Sequence, residues 1–182
     1  ALPALFLHEA VPGHHHQIAH TEENDRVSEF RGENPVNAYI EGWALYAERL
    51  GTEIDAFETP YEQFGRLSNE MWRACRLVVD TGIHAKGWTP EEARAFMAEN
   101  TALSMHNVRT EVDRYVAWPG QSLAYKMGEI EVRKLREEAE DRLGPAFDER
   151  AFHERLLGIG PVPLPTLQAD IRHWIESVGE AE

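Results

Sequence analysis

Phe6-Leu7-His8-Glu9-Ala10-Val11-Pro12-Gly13-His14-His15-His16-Gln17 is the stretch whose reading decides the rest. A His-Glu pair followed within two turns by another His lets a helix offer two imidazoles to one metal ion, with a carboxylate beside the first. The spacing is unusual. In His-Glu-x-x-His the two rings stand four residues apart, about 40° round the helix, and point the same way. Here His14 follows His8 by six residues, about 240° round an ideal helix and nearly on the opposite face. His15 returns to the right face but lies about 10 Å further along the axis. A regular helix therefore cannot bring these rings to one ion. Pro12 removes a backbone donor and clashes with the preceding turn, and Gly13 accepts unusual dihedrals, so a break or bulge is expected there. Two residues absorbed in it restore His14 to the register of a fourth-residue partner.

Outward from the motif, strand signals are almost absent while helix starts and stops recur. The motif helix is expected from about Leu5 to Thr21, followed by a polar loop or short irregular helix to Asn34. Asn34-Pro35 starts a second helix that stops at Gly51. Thr59-Pro60-Tyr61-Glu62 and Thr89-Pro90-Glu91-Glu92 are capping boxes with Pro at the first helical position, opening helices towards His84 and Glu99. Further helices are expected over Leu103–Trp118, Gln121–Leu143, Asp148–Leu157 and, capped by Thr166, to Val178. The Glu129–Glu140 half of the sixth is charged and expected to face solvent, and the five Trp residues read as core. No repeat, low-complexity segment or interdomain linker is present. The expected fold class is all-α, one domain over residues 1–182.

The third ligand of a catalytic zinc site is expected on a neighbouring helix. Glu41 is the best candidate, because it sits mid-helix among Tyr39, Ile40, Trp43, Ala44, Leu45 and Tyr46, where an unpaired carboxylate is costly. Glu48, on the same face, either accepts from a ligand imidazole or pairs with Arg49 at the surface. His15, His16 and His20 read as support for the helix. If metal is bound by His8, His14 and Glu41, Glu9 has the general-base role.

Composition narrows the partners. At 182 residues, 42% hydrophobic and 27% charged, the chain can bury a real core, and a net charge of −14 argues against a nucleic-acid partner. Cys75 is the only cysteine, which excludes an internal disulfide and a Cys-ligated zinc. No apolar run approaches the roughly 20 residues of a membrane span, and Ala1–Leu7 lacks the basic flank of a signal peptide, so a cytoplasmic location is favoured. The apolar start also fits a partner surface or a homo-oligomer.

The string His-Glu-Ala-x-Pro-Gly-His-His resembles the signature of the domain of unknown function 885 (DUF885) family, bacterial proteins grouped by likeness with zinc metallopeptidases. Tyr39–Glu48, Asp80–His84, Glu111–Tyr115 and Pro119–Gly128 match that family too, in its order. The resemblance implies a helical zincin-like (gluzincin-type) metallopeptidase domain, the C-terminal part of a longer protein, with Zn2+ as cofactor and a peptide or other amide as substrate. It also implies oxyanion donors among His84, Arg114, Tyr115 and Tyr125; the spacing of Asp80, four residues before His84, suits orienting that ring across one helical turn. Two alternatives stay open: an inactive metal-binding or interaction domain that needs a partner chain or an N-terminal part, and a purely structural helical domain.

Overall fold

The computed structural model describes residues 2–34 and 36–180, and every regular element among them is helical. In chain order these are α1 (Leu2–Glu9), α2 (His14–Glu22), α3 (Glu29–Glu33), α4 (Asn37–Glu53), α5 (Pro60–Lys86) and α6 (Pro90–Asn100). They continue with α7 (Met105–Ala117), a 3-10 turn (Gln121–Leu123), α8 (Ala124–Leu143), a second 3-10 turn (Gly144–Ala146), α9 (Glu149–Gly158) and α10 (Leu164–Gly179). Both capping boxes form. The Thr59 hydroxyl accepts from Glu62 N while Glu62 Oε2 accepts from Thr59 N, and Thr89 and Glu92 repeat the exchange. Asp148 caps α9 by accepting from Arg150 N and Ala151 N.

Several expected boundaries shift for identifiable reasons. Asn34 closes α3 through its side-chain amide on Phe30 O, and Pro35 lies outside the described residues. Gly51 does not stop α4, which runs to Glu53; a Cβ there would collide with Leu7 of α1 and Phe57, so the glycine serves close packing. Thr166 is inside α10 rather than capping it, because Pro163 and Pro165 start the helix earlier. The second half of α8 is not simply solvated: Glu129, Val132, Leu135 and Ala139 are buried in it. Trp118 is exposed, unlike the core Trp43.

Two large hydrophobic clusters organise most of the packing, and a third, of Ala4, Leu7 and Phe57, seats α1. The larger joins α4, α8, α9 and α10 around Tyr39, Trp43, Tyr46, Leu135, Phe152, Leu156 and Ile171. The smaller joins α5, α6 and α7 around Val79, Met97, Val112 and Tyr115. Helix α4 lies closest to α8 where Gly42 meets Gly128, and a Cβ on Gly42 would stand 2.6 Å from Gly128 Cα. That crossing sets Glu41 on α4 beside the turn of α8 that carries Tyr125. Helix α1 packs against both α4 and α5 and so joins the two halves.

Candidate metal centre

The motif helix is interrupted, as Pro12 and Gly13 require, but by a link rather than a bulge. Residues Ala10–Gly13 leave the helical path between α1 and α2, with a cis Val11–Pro12 bond. Gly13 packs so closely on the His8 carbonyl that a Cβ would collide with it. Trp43 Nε1 donates to Pro12 O at 2.7 Å and ties the link to α4. The chain re-enters a helix with Gln17 N on Gly13 O, and His14 stands at its first position. The two rings meet edge to face, their centroids 4.7 Å apart.

Glu41 completes a triad from three helices. Its Oε2 lies 3.6 Å from His8 Nε2 and 3.3 Å from His14 Nε2, and the three ligand atoms all fall within 4.8 Å of one another. Two donors on one tetrahedral zinc, each at about 2.1 Å, are separated by about 3.4 Å. The residues therefore fit such an ion. Glu41 Oε2 is also buried without a hydrogen-bond partner, a costly state for a carboxylate that an ion would relieve. Burial alone would raise the Glu41 carboxyl, but His14, His8 and the Tyr125 hydroxyl outweigh it and hold it at about 2. Burial would likewise lower His8, yet Glu41 and Glu48 outweigh it and leave its pKa raised. The His8 ring thus responds to concentrated negative charge.

Behind the triad, His8 Nδ1 lies 2.8 Å from Glu48 Oε1, which resolves the two readings of Glu48 in favour of the imidazole partner. Glu48 is 1% exposed, and the same oxygen is 3.3 Å from Arg73 on α5. Tyr125 stacks on His8 at 6.3 Å, and the Arg76 guanidinium lies 4.4 Å from both the Tyr125 and Trp72 ring centres. Arg76 also donates to Tyr115 Oη and pairs with Glu111 at 3.0 Å.

The remaining expected residues have definite places. Glu9 ends α1 next to His8 and is exposed. Tyr115 Oη donates to Glu111 and accepts from Trp72 and Arg76, and burial raises its phenol to about 12. His84 Nε2 bonds the Tyr115 carbonyl at 2.9 Å, joining α5 to the end of α7. Arg114 holds Glu111 and Gln121. Asp80 does not orient His84: its carboxylate accepts from Gly120 N and Ser122 Oγ, fixing the turn before α8. His15 and His16 are exposed and His20 half-buried; among the described residues the only cluster able to hold an ion is His8, His14 and Glu41.

Arg73 and Arg76 are the residues that sequence reasoning passed over. Their signal was present: two arginines on the Trp72–Cys75–Val79 side of α5, where an unpaired charge would be too costly to bury.

Comparison with known proteins fits this arrangement into a group without assigning it an activity. The chain is 44% identical to the "putative lipoprotein" from Colwellia psychrerythraea, with a TM-score of 0.92 over 96% of this chain and 30% of that one. It is 29% identical to a "putative lipoprotein of unknown function" from Shewanella oneidensis, with a TM-score of 0.79 over 92% of this chain and 31% of that one. This chain thus spans under a third of either relative. No functionally curated protein matches it. The cytoplasmic location favoured from the sequence is overturned by these lipoprotein relatives. No described helix is long and apolar enough to cross a membrane. The family model for bacterial proteins of unknown function, DUF885, matches residues 1–171, and the chain belongs to that family.

Proposed function

We propose that this chain carries the metal centre of a zinc-dependent hydrolase of the metallopeptidase type, in a gluzincin-like arrangement. The observation that carries the reading is the convergence of His8 Nε2, His14 Nε2 and Glu41 Oε2 from three helices at spacings that suit one tetrahedral ion. A donor set of two imidazoles and one carboxylate favours Zn2+, which when bound would act as a Lewis acid and lower the pKa of a water to about 7. Glu48 holds the His8 tautomer with its proton on Nδ1, leaving Nε2 free as a ligand.

Glu9, beside His8 and open to solvent, takes the proton of the attacking water and passes it to the leaving amine. Tyr125, stacked on His8 and near Glu41, is the donor best placed for a developing oxyanion. Tyr115 has its one proton committed to Glu111, so its role in this reading is to hold Arg76 beneath Tyr125. His84 anchors α5 to α7. The substrate is a peptide or a related amide. By likeness to the lipoprotein relatives, the place of action is a membrane surface rather than the cytoplasm.

The test is elemental analysis of tag-free protein and of His14→Ala and Glu41→Ala, followed by a peptide-library screen with Glu9→Gln as control. About one zinc per parent chain, absent from both variants, and turnover lost in Glu9→Gln, is the expected result. Metal retained by both variants would overturn the ligand set. Bound metal without turnover would favour the inactive-domain reading.

A further inference from the structure

A long helix in a globular protein normally turns its apolar stripe inward and its charges outward. Helix α5 does this for only part of its circumference. Tyr61, Phe64, Leu67, Met71 and Val78 are all between 41% and 87% exposed. Phe64, Leu67, Met71 and Val78 fall within about 60° of one another round the axis, and from Tyr61 to Val78 the row runs about 26 Å. From Tyr61 to Thr81 every exposed position of α5 is uncharged, in a chain that is 27% charged. Helix α1, packed alongside, exposes Leu2 and Phe6 as well. A contiguous apolar face of this length marks a contact surface.

We propose that this face seats a helix from the rest of a longer polypeptide, of the kind found in the Colwellia psychrerythraea chain. More than two thirds of that chain lies outside the part this one matches at a TM-score of 0.92. The matched part is continuous there with enough polypeptide to cover α5, and covalent linkage gives such a segment a high effective concentration. A second copy is the weaker occupant, since self-association would bring together two chains of net charge −14. The seated helix would lay an apolar i, i+3, i+7 row along Phe64, Leu67 and Met71. The proposal is independent of the metal reading, because none of these side chains belongs to the His8, His14 and Glu41 cluster.

Thiol labelling tests it on this 182-residue chain and on the full Colwellia protein, with a chelator present so that metal content has no influence. Cys75 is buried, which keeps the background low. Cysteines replace Phe64 and Met71 here and the structurally equivalent residues in the full Colwellia protein. The expected result is fast labelling at both positions in this chain and labelling slower by about tenfold or more in the Colwellia protein, released by urea. Equal, fast labelling in both proteins would overturn the proposal. Slow labelling in this chain that speeds up on dilution would overturn it in favour of a second copy.

Discussion

His8 turns one ring nitrogen to Glu48, at 2.8 Å, and the other to Glu41, at 3.6 Å. The imidazole is therefore oriented by a buried carboxylate before any ion arrives. Carboxylate partners of this kind typically add 10- to 100-fold to metal affinity. Glu48→Gln keeps the size but removes the charge, and the expected outcome is zinc affinity lower by about that factor, read by chelator competition. The same substitution strips Arg73 of its anion, so unfolding free energy should fall as well, by up to about 3–5 kcal/mol for an uncompensated buried charge.

The α4–α8 crossing makes a second prediction. A Cβ on Gly128 would stand 2.6 Å from Gly42 Cα and collide with the Ala38 carbonyl, so Gly128→Ala must push the helices apart. Overpacking of this kind costs about 1–3 kcal/mol, against up to about 1 kcal/mol gained in helix propensity. Because Glu41 and Tyr125 flank the contact, the expected signature is a lowered Tm together with weakened zinc binding. Thr59→Ala, which removes only the cap of α5, should cost about 1 kcal/mol and leave zinc affinity unchanged.

His153 supplies a pH dependence. Its ring meets Tyr46 Oη at 2.8 Å, and burial, reinforced by Arg136, depresses its pKa to about 4. Above pH 6.5 the ring is neutral in both folded and unfolded chains and stability is complete. Below 6.5 the unfolded chain takes up a proton that the native state refuses until about pH 4, so stability falls as pH falls through that window. One such proton is worth at most about 1.4 kcal/mol per pH unit. Urea midpoints at pH 7, 6 and 5 should converge between the parent and His153→Gln as the pH drops, and unchanged separation would refute the assignment.

What could be read in the sequence was local. Pro12-Gly13 announced a break, the Thr-Pro-x-Glu boxes announced α5 and α6, and Glu41 among aromatic residues announced a carboxylate in need of a partner. Asp80 and Arg76 could not be placed in the same way, because their partners lie far off in the chain: Gly120 and Ser122 in the turn before α8 for one, Tyr115 and Glu111 on α7 for the other. Gly51 misled for a related reason. A helical glycine signals a stop on local grounds, and only the approach of Leu7 and Phe57 gives it a packing role instead.

The tightest local demand is at Gly13, and it gives the most discriminating prediction. The constraint is contact: the link passes directly over the His8 carbonyl, where a methyl group has no space. Gly13→Ala must lift the link, stretch the Trp43 Nε1 bond to Pro12 O and carry His14 away from Glu41. The α4–α8–α9–α10 core does not depend on the link, so helicity and the main unfolding transition should change little. Zinc affinity, by contrast, should fall about 100-fold or more, as expected when one of three ligands is displaced by even about 1 Å. Trp43→Phe, which removes the hydrogen bond along with part of a buried ring, should show a milder loss of zinc affinity together with a lowered Tm. Full zinc affinity in Gly13→Ala would mean that His14 does not reach the ion through this link.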